Sequence, residues 1–316
     1  MSPRILSPLF VLALCAVPAA AEELRVMSYN VWGGGANEEK GIDETLAVLR
    51  AANPDIVGIQ ETRTEGEVCE ADYCPPGGTS VAAALAEAMG FYHYDQTAEN
   101  VALWANAIIS RYPIGPATPN DLCVPIEAPG RTVWACNVHL DDEPYQPYQL
   151  LGIEYGPAPF IDNAEDAIRF AEETRGPAIA LLIDDMAATA EGDITLVFGD
   201  FNEPSGHDWT EAAAEAGLHP IAVDWPTTGA LESLGFKDAY RVVHPDPVAK
   251  PAFTWTPWGD EADPEDHHDR IDFVLVRGDV AVTDAAIVGE AGPRTDLAVD
   301  PWPSDHRAVL AVITYD

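Results

Sequence analysis

Residues Leu196–Trp209 read LVFGDFNEPSGHDW. Leu196, Val197 and Phe198 close an apolar run of the kind found in strands buried on both faces. After Gly199 the character reverses, and Asp200, Asn202, Glu203, His207 and Asp208 crowd the strand's exit. Burying the strand holds whatever stands at its mouth rigidly, which is what a reacting group needs.

Other apolar runs end in the same way. VMSYN ends at Asn30, IVGIQE at Glu61 and WACNVHL beside His139, while PSDH sets Asp305 and His306 just before the run RAVLAVITY. Helical spacing separates several of these strands. Ile42, Leu46 and Leu49 share one face, as do Val81, Leu85 and Met89 ahead of a stop at Gly90. Ile179, Leu182, Ile183 and Met186 predict a helix that starts at Pro177. Strands interleaved with helices indicate an α/β protein.

Asn and Asp favour turns for local reasons, so a single polar strand end carries little weight. Five that converge would make a cluster of carboxylate and amide oxygens with two histidines, and carboxylates that close together need a counter-charge. Hard oxygen donors point to Mg²⁺, with Mn²⁺ or Ca²⁺ as alternatives.

The ends of the chain and its composition bound the setting. Arg4, the apolar run Leu9–Val17 and the small residues Ala19-Ala20-Ala21 predict a signal peptide over residues 1–21, followed by one domain over 22–316. A secreted or periplasmic location follows, with no transmembrane segment. Beyond Cys15, four cysteines remain, and short local loops favour Cys69–Cys74 and Cys123–Cys136 as disulfides over a thiolate metal site. Sixteen basic residues stand against 53 acidic ones, a net charge of −37. Such a surface repels polyanions and has few cations to displace counterions, which disfavours nucleic acid as a partner. A high-salt habitat accounts for the same acidity without reference to substrate.

Taken in order, the segments resemble the endonuclease/exonuclease/phosphatase superfamily, the DNase I-like metal-dependent phosphoesterases. The matching stretches are SYNVW with Asn30, GIQETR with Glu61 and Arg63, NVHLD with His139, and GDFNEP with Asp200 and Asn202. RIDFVLV with Asp272 and SDHRAV with Asp305 and His306 complete the set, which spans Leu24–Thr314. The resemblance implies a four-layer α/β/β/α sandwich, two mixed sheets face to face with helices outside. It also implies metal ligation by Glu61 with Asn30 and Asp305, and water activation by Asp200. Asn202 would hold a phosphate oxygen, His139 and His306 would contact the phosphoryl group, and Asp272 would orient His306. Arg63 and His207 are candidate substrate contacts, and the aromatics of FTWTPW (Phe253–Trp258) stand where substrate could stack. The histidines of DHHDR, Asp266–Arg270, either border the site, bind a further metal or sit in a solvated loop.

Singly, each residue has a plain explanation: Asn30 as a strand terminator, Glu61 as an ion pair with Arg63, His139 as a core histidine. The ordered set has none. The implied protein is a monomeric hydrolase that attacks a phosphorylated small molecule or phospholipid head group with metal-assisted water. The alternatives are a DNase I-like endonuclease and a non-catalytic phosphate-binding module.

Overall fold

Alternation along the strands sorts the side chains of this protein into layers. The computed structural model describes residues 21–66, 75–189 and 193–316. In chain order the strands are β1 (Glu22–Asn30), β2 (Ile56–Gln60), the short pair β3 (Thr64–Glu65) and β4 (Pro76–Gly77), then β5 (Tyr92–Asp95), β6 (Ala107–Ser110) and β7 (Cys123–Ala128). There follow β8 (Arg131–His139), β9 (Ile194–Asp200), β10 (Lys237–Asp238), β11 (Asp272–Arg277), β12 (Ala281–Gly289), β13 (Leu297–Ala298) and β14 (Ala308–Tyr315). The helices are α1 (Ile42–Ala52), α2 (Ala82–Met89), α3 (Gln146–Leu151), α4 (Ala164–Met186), α5 (Glu211–Glu215), α6 (Pro226–Ser233) and α7 (Ala239–Val243).

Two large sheets form, with strand orders β13-β12-β14-β1-β2-β6-β5 and β10-β11-β9-β8-β7. Both are mixed: β1–β2 and β8–β9 run parallel, β1–β14 and β9–β11 antiparallel. Three apolar clusters mark the interfaces between layers. Leu24, Val26, Ile56 and Ile108 meet Ala135, Ile194, Leu196, Phe198 and Val274 between the sheets. Leu46, Leu49 and Leu85 of α1 and α2 cover Met27, Tyr29, Val57 and Ile109 on one outer face. Ala178, Ile179 and Leu182 of α4, with Leu231 of α6, cover Val138, Val197 and Leu275 on the other. This is the expected four-layer sandwich of two mixed sheets with helices outside.

Since side chains alternate along a strand, the same parity that sends Leu24, Val26, Ala135, Phe198 and Val274 between the sheets governs their neighbours two residues away. It sends Ser28 and Asn30, Asn137 and His139, Asp200, and Asp272 inward too. The gap between the sheets is therefore apolar over most of its length and polar at one end. One step below that end, Gln60 Nε2 donates to Asn137 Oδ1 at 2.6 Å and the Gly199 N–H to Ser28 Oγ at 3.1 Å, which link the two sheets.

Cys123 and Cys136 face each other across β7 and β8 and are bonded, as expected. The leader expected over residues 1–21 falls, apart from its last position, outside the described residues, as do Cys69 and Cys74. Among the described residues no helix is long and apolar enough to cross a membrane. The helix expected to begin at Pro177 instead begins at Ala164, where the Asn163 side chain accepts from the Asp166 N–H as a cap. Its first half buries Ala167, Ala171 and Arg175, a face without large apolar residues, so hydrophobic spacing does not reveal it.

Candidate active site

Strand register gathers the predicted residues into one place. His139 lies opposite Asp200 in the β8–β9 pairing, and Asp200 opposite Asp272 in the β9–β11 pairing. Three chemically active side chains thus form a row across one sheet. Asn30, at the end of β1, comes from the other sheet beside Gln60, the last residue of β2. Glu61 follows directly, with φ +53°, and Asn202 has φ +47° just past β9. Non-glycine residues rarely adopt this left-handed backbone, and here it brings the Glu61 carboxylate to Asn30 and the Asn202 backbone N–H to Asp200.

The contacts converge on Asp200, which is 1% exposed. Its Oδ2 accepts from Asn30 Nδ2 at 3.0 Å and lies 3.6 Å from His139 Nε2 and 3.5 Å from His306 Nε2. Its Oδ1 accepts from the Asn202 N–H at 3.0 Å. Asn30 Nδ2 also donates to Glu61 Oε1 at 2.8 Å, and that oxygen is 4.0 Å from His139 Nε2. Arg63 is not the partner of Glu61, and its Nε is buried without a hydrogen bond among the described residues. Each histidine is aimed by its other ring nitrogen. His306 Nδ1 lies 2.9 Å from Asp272 Oδ2, and His139 Nδ1 lies 3.4 Å from the Trp104 carbonyl. Both partners only accept, so Nδ1 carries a proton in each ring and Nε2 faces the cluster.

Burial raises the Glu61 carboxyl to about 7, opposed by His139 and reinforced by Asp305. Burial also raises Asp272 to about 6, although the His306 charge pulls it back. For His306, burial works against the charged form, but Asp272, Asp200 and Asp305 outweigh it and raise its pKa well above the ordinary value. At neutral pH this pair is an imidazolium held by a carboxylate.

The site also has the makings of a cation site. Glu61 and Asp200 each offer a carboxylate oxygen, and His306 offers Nε2 only when that nitrogen is unprotonated, all within 4.8 Å of one another. Asp305 is close enough to raise Glu61, and its own carboxyl is raised by burial and by Asp200. Asp305 Oδ1 and Asp272 Oδ1 are buried without a hydrogen-bond partner among the described residues. Unsatisfied carboxylate oxygens are costly unless something positive meets them. The carboxylates suit a hard divalent cation, while Asn30 turns its amide nitrogen toward them and its Oδ1 accepts from the Trp32 N–H at 3.1 Å.

His207 stands apart from this cluster. It is exposed, pairs with Glu232 at 3.0 Å, and lines a groove of 570 Å³ with Asp224, Trp225 and Thr228. Three supporting residues escape a reading of the sequence. Thr254 Oγ1 accepts the N–H groups of Ile271 and Asp272, Ser304 Oγ donates to the Asn30 carbonyl at 2.7 Å, and Trp104 aims His139. Ser304 adjoins Asp305 in PSDH and Thr254 lies within FTWTPW, so a place in or beside such a stretch is their one signal; Trp104 carries none.

Comparison with known proteins bears on the fold and the family. An uncharacterized Caenorhabditis elegans protein is 26% identical over 314 residues, covering 92% of this chain and 91% of the relative. A 3'-5' exonuclease from Neisseria meningitidis shares the fold with a TM-score of 0.55 at 21% identity, over 91% of this chain and 98% of the exonuclease. An endonuclease/exonuclease/phosphatase from Beutenbergia cavernae matches with a TM-score of 0.53 at 17% identity, over 92% and 71% of the two chains. The sequence pattern of the Endonuclease/Exonuclease/phosphatase family matches residues 27–306, from β1 through His306. The chain belongs to that family of metal-dependent phosphoester hydrolases.

Proposed function

We propose that this chain is an exported phosphoesterase, one domain over residues 22–316, that cleaves a P–O bond of a small phosphorylated molecule or phospholipid head group by direct attack of water. The observation that carries this reading is the meeting of Asn30, Glu61, His139, Asp200 and His306 around one point, with Asp272 behind His306. Glu61 and Asp305, with Asn30 through its Oδ1, would hold Mg²⁺ (or Mn²⁺ or Ca²⁺), and Asp200 lies in the same cluster as Glu61. When bound, the ion withdraws charge from the phosphoryl oxygens.

The protein's own groups do the rest. Asp200, fixed by Asn30 and the Asn202 backbone, orients the attacking water and takes up its proton. Asn202 Nδ2 donates to the Leu140 carbonyl at 2.9 Å, which leaves its second amide proton for a phosphate oxygen. His306, charged and aimed by Asp272, gives a proton to the leaving oxygen, and His139 meets the phosphoryl group from the opposite side. Arg63, two residues past Glu61 in sequence, and His207, on its groove, would extend contact with the substrate.

Charge favours a small substrate. Arg175, Arg241, Arg270 and Arg307 are buried, so even fewer than 16 cations remain to meet a phosphate backbone. Signal-directed export is supported by the leader and by the Cys123–Cys136 bond. In an assay of the purified chain on mono- and diesters, EDTA should abolish turnover and Mg²⁺ restore it. Asp200→Ala or His306→Ala should cut kcat by about 10²–10⁴-fold. Equal rates with and without metal, or undiminished variants, would reject the proposal.

A second reading, action on DNA, rests on one observation. A structural neighbour, the Neisseria 3' phosphatase NExo, is described bound to a product DNA hairpin. Rapid metal-dependent plasmid nicking at low salt would promote it over the small-substrate reading.

A further inference from the structure

The DHHDR segment holds a second cluster of metal-binding atoms, separate from the one around Asp200. His267 and Asp269 lie just before β11, and His219 comes from the turn after α5. His219 Nδ1 is 3.2 Å from His267 Nε2, and Asp269 Oδ1 is 3.8 Å from the first and 3.7 Å from the second. These edges place one point about 2.1 Å from all three atoms, the length of a Zn–N bond.

A hydrogen bond between the two imidazoles would account for only one edge. It leaves Asp269 Oδ1 beyond hydrogen-bond reach of both rings, although the three atoms share one small space. A cation at the common point accounts for all three.

The surroundings are built as a metal ligand's supports are. Trp209 Nε1 donates to Asp269 Oδ1 at 2.8 Å and the Tyr145 hydroxyl to Asp269 Oδ2 at 2.7 Å, which fixes the carboxylate on both oxygens. The Trp209 ring stacks on His219 at 4.4 Å with an interplanar angle of 14° and meets His267 edge-on. His219 and Asp269 are buried, whereas the His267 side chain is 14% exposed, so water can complete the coordination from its side. His268, next in sequence, faces Asp266 at 3.3 Å instead.

We propose that His219, His267 and Asp269 bind a Zn²⁺ ion, and that this ion fastens the 201–225 segment to the loop before β11. Two imidazoles and one carboxylate are a borderline donor set, which suits Zn²⁺ better than Mg²⁺ or Ca²⁺. The segments it joins are those that leave β9 after Asp200 and enter β11 at Asp272. Asp208 and Arg270, the neighbours of Trp209 and Asp269, form a second tie between them at 2.7 Å.

The test uses the full chain, stripped with EDTA and equilibrated with micromolar Zn²⁺ in millimolar Mg²⁺, followed by elemental analysis and thermal melting. The wild type should retain one zinc per chain and melt higher with zinc than without. Glu61→Gln, altered only at the other cluster, should retain the zinc. His267→Gln, a change at the partly exposed ligand, should bind zinc more than about 100-fold more weakly, since losing even a supporting partner costs 10–100-fold. Cobalt in the wild type gives a reading independent of any variant: the strong visible absorption of a four-coordinate ion is expected. No retained zinc, equal retention in His267→Gln, loss only in Glu61→Gln, or a weak six-coordinate cobalt spectrum would each overturn the assignment.

Discussion

Asp272 shows what a single side chain contributes here. It is fully buried, its Oδ2 holds His306 Nδ1, and its backbone N–H is fixed by Thr254. Asp272→Asn preserves shape but can present an amide to the ring, so kcat should fall by about 10²–10⁴-fold with little change in KM. Steady-state kinetics on any accepted ester would check this. Glu61 makes a second prediction. Burial raises its carboxyl from 4.5 to about 7, so below that pH the folded, metal-free protein carries a proton there. A cation must displace it, so metal affinity should weaken by about tenfold per pH unit below 7 and level off above it. Calorimetric titration of Mg²⁺ from pH 5.5 to 8 would show the bend; a flat profile would contradict it. Most of the cluster was legible in the sequence, because Asn30, Glu61, His139, Asp200 and Asp272 each terminate or begin an apolar run. Trp104 and Thr254 were not, since they act through a backbone carbonyl and a hydroxyl whose placement depends on loops with no periodicity.

At the scale of the strand, the sheets approach closely where β2 crosses β9. A Cβ on Gly58 would stand 2.4 Å from Phe198 Cβ and 2.8 Å from Asn137 Oδ1. Gly58→Ala therefore has to push the sheets apart beneath Asp200, at a cost of about 1–3 kcal/mol. Urea unfolding should show the loss, together with weaker catalysis from a displaced row. The Cys123–Cys136 bond closes a hairpin with a sequence separation of 13. Replacing both cysteines with alanine should cost about 3 kcal/mol by the loop-entropy relation, measured in the same way. Strands built on a short apolar run, such as β2, β9, β11 and β14, were readable beforehand. The first half of α4 was not, because alanines and the buried Arg175 fill its hidden face. Parity held the clue to the polar seam: Asn137 shares its inward parity with Val133 and Ala135, and Gln60 with Ile56.

For the molecule as a whole, 53 acidic residues against 16 basic ones leave strong self-repulsion. The Debye length shrinks from about 10 Å at 0.1 M salt to 3 Å at 1 M, so added NaCl should raise the melting temperature by at least a few degrees. A flat or falling trend would mean that the acidic residues are already compensated within the fold. The layer order followed from the family resemblance that the ordered motifs carry, but how far the arginines had been drawn into the interior was not readable. The turn at Gly130 has a practical use. It stands at the opposite end of β8 from His139, nine residues away, or about 30 Å along an extended strand. Nothing lies within 4 Å of where a Cβ at Gly130 would be. A capture peptide grafted there would tether the enzyme to a bead with its mouth turned toward solution, so that large and small esters could be compared without crowding from the support.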